Sequence, residues 1–60
     1  MRFFRDWSCD VQVRGVVKRV QAAYDLTTHQ WVLYDQEVRV MRKTLSRAMK
    51  AYRQAKQAIL

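Results

Sequence analysis

Seven basic residues that follow Val38 are the part of this sequence best suited to chemistry. From Val38 to Leu60 there is no Asp and no Glu. The cations of this segment are Arg39, Arg42, Lys43, Arg47, Lys50, Arg53 and Lys56. The basic and acidic residues up to Glu37 cancel, so this segment carries the whole formal net charge of +7. A run of cations without acidic neighbours is typical of a surface that neutralises phosphate groups and releases their counterions.

Residues that could support catalysis or bind a metal are few and scattered. His29 is the only histidine and Cys9 the only cysteine, so the sequence has no spaced Cys/His set for zinc and no internal disulfide. A nucleophilic cysteine needs a base and a preorganised pocket. We expect Cys9 to be a small buried apolar group and His29 to lie on the surface. The sequence therefore predicts a protein that is not an enzyme and has no cofactor, metal or small-molecule substrate.

A long helix is expected to carry the cations. From Trp31 onward, apolar residues recur at alternating steps of three and four, which is the spacing of a heptad seam. The seam consists of Trp31, Tyr34, Val38, Met41, Leu45, Ala48, Tyr52, Ala55 and Ile59. Thr27 and Gln30 fit a capping box, and the residues flanking them fit a hydrophobic staple of Leu26 on Trp31. These features predict a helix over 28–58 with its cations roughly opposite the seam.

The segment 10–25 is open to two interpretations. Val13, Val17 and Val20 repeat at helical spacing, which favours a first helix over the whole segment. Residues 10–14 alternate as in a half-buried strand, and Gly15 is unfavourable inside a helix. The first interpretation gives an all-α antiparallel helical hairpin. The second gives a short strand followed by two helices.

The chain is expected to be a single small domain over 1–60, with an aromatic and basic arm over 1–9. We expect the arm to pack Phe3, Phe4 and Trp7 across an end of the helices, or to offer them to unpaired bases. A domain of this length is marginally stable alone, and a short first helix would leave the end of the seam uncovered. We therefore predict a coiled-coil-like interface with a second copy or another protein. Its residues are Leu45, Ala48, Tyr52, Ala55 and Ile59.

Two short patterns resemble DNA-binding families. With a strand at 10–14, the order strand, helix, helix resembles the ribbon-helix-helix dimers, whose paired strands enter the major groove. That resemblance implies base contacts from the outward residues Gln12 and Arg14. The hexapeptide Leu26 to Trp31, Leu-Thr-Thr-His-Gln-Trp, is similar to the helix-opening Leu-Thr-x-x-Gln-Trp of winged-helix regulators of the MarR type.

The sequence thus predicts a small basic protein that contacts nucleic acid as a dimer through the cationic face of its last helix. The alternative is a protein interaction module, such as an adaptor, inhibitor or accessory subunit, that docks through the apolar seam. Membrane binding is not expected, because the seam is rich in Ala and Tyr and the longest apolar runs are four residues. The start of the chain is too short and charged for a secretory signal. An unpaired Cys9 fits a reducing compartment, so we expect a cytoplasmic protein.

Overall fold

A computed structural model describes residues 3–59, with side chains described from Trp7 onward. Over that range the chain forms four antiparallel strands and then a helix. They are β1 (Phe3–Val13), β2 (Val16–Asp25), β3 (Gln30–Tyr34), β4 (Arg39–Arg42) and α1 (Leu45–Gln57). Strands adjacent in sequence are adjacent in the sheet, so the sheet is a meander with β1 and β4 at its edges.

The prediction of an all-α helical hairpin is wrong. The segment 10–25 lies in two strands, and the helix expected over 28–58 is confined to Leu45–Gln57. The part of the predicted arm over 3–9 belongs to β1, while the side chains of Phe3 and Phe4 lie outside the described residues. Alternation at 10–13 does mark a strand, but the helix that a ribbon-helix-helix fold requires next is the strand β2.

A two-residue turn reverses the direction of the chain within the segment for which the sequence suggested a continuous helix. Arg14 and Gly15 have φ of 52° and 78°, and they join the paired residues Val13 and Val16. Positive φ at both central positions defines the type I′ turn, whose twist matches that of paired strands. The valines on both sides of the turn are β-branched and favour strands, so local preferences and turn geometry agree on a hairpin.

Asp25 builds the connection between β2 and β3. One carboxylate oxygen accepts hydrogen bonds from the amides of Thr27 and Thr28 at 2.8 and 3.4 Å. The backbone carbonyl of Asp25 accepts another from the amide of His29 at 2.8 Å. This Asx turn takes the place of the predicted capping box, and Gln30 begins β3. The likeness of this hexapeptide to a helix opening therefore has no structural counterpart.

Helix α1 packs on one face of the sheet. The core consists of Val11, Val13, Val20, Ala22, Leu33, Ala48 and Tyr52. Ala48 is 0% and Tyr52 1% exposed, so the middle of the predicted seam is buried inside its own chain. The coiled-coil prediction is therefore wrong. The helical spacing is meaningful only within α1, because Trp31, Tyr34 and Met41 lie in strands.

In the part of the chain that the structure describes, no helix has the length and apolar character needed to cross a membrane.

Candidate functional site

The outer side of α1 carries the first group of candidate cations. The helix begins after Thr44, whose hydroxyl accepts a hydrogen bond from the Arg47 amide at 3.2 Å. Its 13 residues correspond to a length of about 20 Å. At about 100° per residue, Arg47, Lys50 and Arg53 lie on the side opposite the buried Ala48 and Tyr52, and all three are exposed.

Edge strand β4 and the link after it carry the second group. Arg39, Arg42 and Lys43 are exposed, and Thr44 joins them directly to the helix. Three cations of the two groups meet in a cleft of about 350 Å³, which is lined by Arg42, Arg47, Lys50, Ala51 and Gln54. Arg39 pairs with Tyr34 and, by strand alternation, projects from the opposite face of the sheet to Arg42. We call the other five residues of the two groups the cationic surface: Arg42, Lys43, Arg47, Lys50 and Arg53.

The acidic side chains described from Trp7 onward are all used elsewhere. Asp10 lies 3.4 Å from the Arg19 guanidinium, and Asp25 is held in its own turn. Asp35 and Glu37 pair with Lys56. Within the described residues, no ion pair involves a member of the cationic surface, so its charge is not neutralised by the fold.

Lys56 was predicted as a seventh binding cation, but the structure places it in a polar cluster. Its ammonium group lies 2.9 Å from Asp35 Oδ2 and also bonds Glu37. The Lys56 side chain is only 9% exposed. The Tyr52 hydroxyl donates to the same Asp35 oxygen at 2.5 Å. Lys56 therefore ties α1 to the turn between β3 and β4, and we leave it out of the cationic surface.

The pKa values within this cluster reflect mutual stabilisation. Burial would raise the pKa of Asp35, but hydrogen bonds from Tyr52, Lys56 and the amides of Glu37 and Val38 hold it well below its usual range. Burial, followed by the bond to Asp35, raises the pKa of Tyr52 to about 12. Hydrogen bonds to Glu37 and then to Asp35 raise the pKa of Lys56. The sequence pattern does not indicate this cluster; its one signal is an Asp two residues before Glu37, which fits an Asx turn.

Gln12 and Arg14, the predicted base contacts, lie near the C-terminal end of α1. The Arg14 guanidinium donates to the carbonyls of Gln57 and Ile59 at 2.7 and 2.9 Å. It thus satisfies carbonyl groups that a helix end leaves unpaired. Gln12 and Arg14 line a cleft of about 290 Å³ together with Gly15, Arg53 and Gln57. The structure therefore brings both residues beside one member of the cationic surface, with Arg14 already engaged.

The residues predicted to form an intermolecular interface differ in their exposure. Ala48 and Tyr52 are buried, while Leu45 and Ala55 are partly buried. Ile59 is 38% exposed and lines a cleft with Val16. Only the last of these residues therefore presents a largely accessible apolar side chain.

Cys9 and His29 are the remaining potentially reactive groups. Cys9 is a free, partly buried thiol, and burial, followed by the negative charge of Asp10, raises its pKa. A raised pKa lowers the fraction of nucleophilic thiolate. His29 is exposed on the β2–β3 turn. Among the described residues, His, Cys, Asp and Glu form no cluster of three that could hold a metal ion.

Comparison with known proteins finds no family model, no curated protein and no solved structure that matches this chain. Its function has to be inferred from its own residues and geometry.

Proposed function

We propose that this protein is a small non-enzymatic binding module of the cytoplasm that contacts nucleic acid through its cationic surface. The observation that carries the proposal is the segregation of charge. Five cations lie together on the end of β4, the following link and the outer side of α1, while the acidic side chains described are bonded elsewhere. The free thiol of Cys9 supports the assignment to a reducing compartment.

Several features of this surface suit a phosphate backbone. Its members are long, exposed Arg and Lys side chains on adjoining elements, and three of them line one cleft. Arginine can bond a phosphate through two N–H groups at once. Gln54, which lines the same cleft, adds an uncharged donor and acceptor. An acidic protein surface would be attracted to the same cations. Nucleic acid suits them better, because its phosphates repeat regularly along the backbone.

The proposal can be tested by fluorescence anisotropy with labelled oligonucleotides of about 20 nucleotides, titrated from about 50 to about 300 mM NaCl. We expect affinity to fall steeply with salt, because counterions are released on binding. The double variant Arg47→Gln/Lys50→Gln should lower affinity. It should also make the slope of log K against log salt shallower by about 1.4 to 1.8, since each phosphate contact contributes about 0.7 to 0.9.

Lys18→Gln/Arg19→Gln is the matched control, because it removes the same charge from exposed positions of β2. We expect it to change affinity less than the helix variant. Undetectable binding at the lowest salt would contradict the proposal. Equal losses in the two double variants would mean that net charge, rather than the cationic surface, determines binding.

A protein partner is the second candidate, and a different surface favours it. Val16 is 56% exposed on the β1–β2 hairpin, and Ile59, which lines the same cleft, is 38% exposed. Self-association or docking on another protein would cover this apolar end. Val16→Lys should then weaken assembly in sedimentation experiments, whereas a monomer in the wild type at micromolar concentration would count against self-association.

A further inference from the structure

Three aromatic residues form a row on the helix-bearing side of the sheet. The ring centroids of Trp7 and Trp31 are 5.2 Å apart, and those of Tyr24 and Trp31 are 5.3 Å apart. Both spacings lie in the range of favourable ring contacts. The row crosses β1, β2 and β3 near the end where β2 turns into β3. We call Trp7, Tyr24 and Trp31 the aromatic row.

The aromatic row is partly accessible to solvent. Trp7 is 36% exposed, and both Tyr24 and Trp31 are only partly buried. Partial exposure of two indole rings to water is unfavourable, because burial of each such side chain can remove about 150–250 Å² of surface from solvent. Contact with a flat apolar ligand would therefore be favourable.

The strand register places the aromatic row next to the cationic surface. Trp31 lies directly opposite Arg42 in the antiparallel pair of β3 and β4. Directly opposed residues project on the same face, with Cβ atoms about 5 Å apart. Arg42 also lines the cleft that contains Arg47 and Lys50. Arg42 thus joins the aromatic row to the cationic surface.

We propose that the nucleic acid is single-stranded, with its bases contacting the aromatic row and its phosphates lying on Arg42, Arg47 and Lys50. This inference rests on the proposed function and deepens it. Unpaired bases can stack on aromatic side chains while cations follow the backbone, and such stacking contributes whatever the base. A duplex keeps its bases stacked in its interior, so it would use the cations alone. The chemistry is shared by single-stranded DNA and RNA.

The tryptophans themselves report on this contact. The chain contains two tryptophans, and both belong to the aromatic row. We would titrate the wild-type protein with oligothymidylate, oligouridylate, a mixed-sequence duplex of equal length, and heparin. Both single strands should quench tryptophan emission strongly, while the duplex and heparin should leave it nearly unchanged. Tighter binding of one single strand would show a preference that lies in its sugar or in the thymine methyl group.

Variants distinguish the contribution of base stacking to binding from that of the cations. Trp7→Ala should weaken single-strand binding at least fivefold, as loss of one stacked base predicts, with little effect on duplex binding. Trp7→Phe should restore most of the lost affinity. Tyr34→Ala is the control, because Tyr34 is also partly buried but strand alternation places it on the opposite face of the sheet. Far-UV circular dichroism would verify that each variant is folded.

The outcomes distinguish this inference from the function on which it rests. Equal affinity for duplex and single strands, with unchanged tryptophan emission, would overturn the single-strand inference while leaving a cationic nucleic-acid site in place. Absence of binding to every polyanion at low salt would overturn both. If Trp7→Ala fails to fold, the quenching of the wild type and the Trp7→Phe affinity still decide the question.

Discussion

Removing one hydroxyl group should measurably destabilise this protein. In Tyr52→Phe the ring keeps its packing, but Asp35 loses the hydrogen bond that it accepts at 2.5 Å. Hydrogen bonds to charged groups contribute about 1.5–3 kcal/mol. The Asp35 side chain is 28% exposed and keeps its contact with Lys56, so solvent screening lowers our expectation to about 1–2 kcal/mol.

That loss is large relative to the whole protein. At about 0.05–0.15 kcal/mol per residue, a chain of 60 residues has a free energy of unfolding of about 3–9 kcal/mol. With a urea dependence of about 1 kcal/mol per molar, the unfolding midpoint of Tyr52→Phe should fall by about 1–2 M. Urea titration followed by far-UV circular dichroism at pH 7 measures this shift.

The same variant should respond differently to acid. The folded-state pKa of Asp35 is lowered, so its ionised form stabilises the fold above about pH 4, the ordinary pKa of an unfolded Asp. This stabilisation is lost as pH falls further towards the folded-state pKa. Tyr52→Phe removes one of the bonds that lower that pKa. Both proteins should therefore lose stability as pH falls below about 5, and the difference between them should shrink only at the more acidic pH where Asp35 of the folded variant becomes protonated.

The stability at alkaline pH tests the same contact independently. Because the pKa of Tyr52 is raised to about 12, the neutral hydroxyl stabilises the fold below about pH 10, the ordinary value. That contribution disappears as pH rises through the folded-state pKa. Tyr34→Phe is the control, because the Tyr34 hydroxyl makes no hydrogen bond within the described residues. Equal midpoints for both Phe variants, or a difference independent of pH, would refute the role given to the Asp35 contact.

Three further predictions concern single residues. Thr44→Ala should cost about 1 kcal/mol in urea unfolding, because it removes the N-cap acceptor of α1, whereas Thr44→Ser should be nearly neutral; equal losses would mean that the cap hydroxyl is unimportant. Gly15→Ala should cost about 1 kcal/mol in the same assay, because an L-residue is strained at the φ of 78° that Gly15 adopts. The added Cβ would meet nothing within 4 Å, so no steric clash contributes; an unchanged midpoint would contradict the turn geometry. Cys9 should react with iodoacetamide at pH 8 more slowly in the folded protein than in urea, because burial raises its pKa; equal rates would mean that the thiol is not protected.

The sequence contained the strand signals, but a competing pattern obscured them. The three-and-four spacing from Trp31 to Ile59 spans two strands, a turn and a helix, so the regularity is accidental outside α1. Within α1 the spacing correctly places Ala48 and Tyr52 on the buried side. Alternation at 38–40 and dense β-branched residues at 11–20 were better guides to structure.

The turn between β1 and β2 favours the strand pattern over the helical one. Arg14 and Gly15 form a type I′ turn although the usual Asn or Asp is missing, and Arg14 gains bonds to the end of α1. That compensation depends on residues more than 40 positions away, so local sequence cannot reveal it. The position of Trp31 opposite Arg42 likewise depends on strand register. The cations could be located from sequence, but their aromatic neighbours could not.

The cations of β4 and those of α1 need different explanations. Exposed charges on an edge strand discourage pairing with other chains, which accounts for Arg39, Arg42 and Lys43 without any ligand. This protection is irrelevant to Arg47, Lys50 and Arg53, because the backbone of a helix is already hydrogen-bonded. Like charges this close oppose folding, and no described acidic side chain relieves them. The helix cations are therefore the ones that a binding partner best explains, and substitutions on α1 test nucleic-acid binding more directly than substitutions on β4.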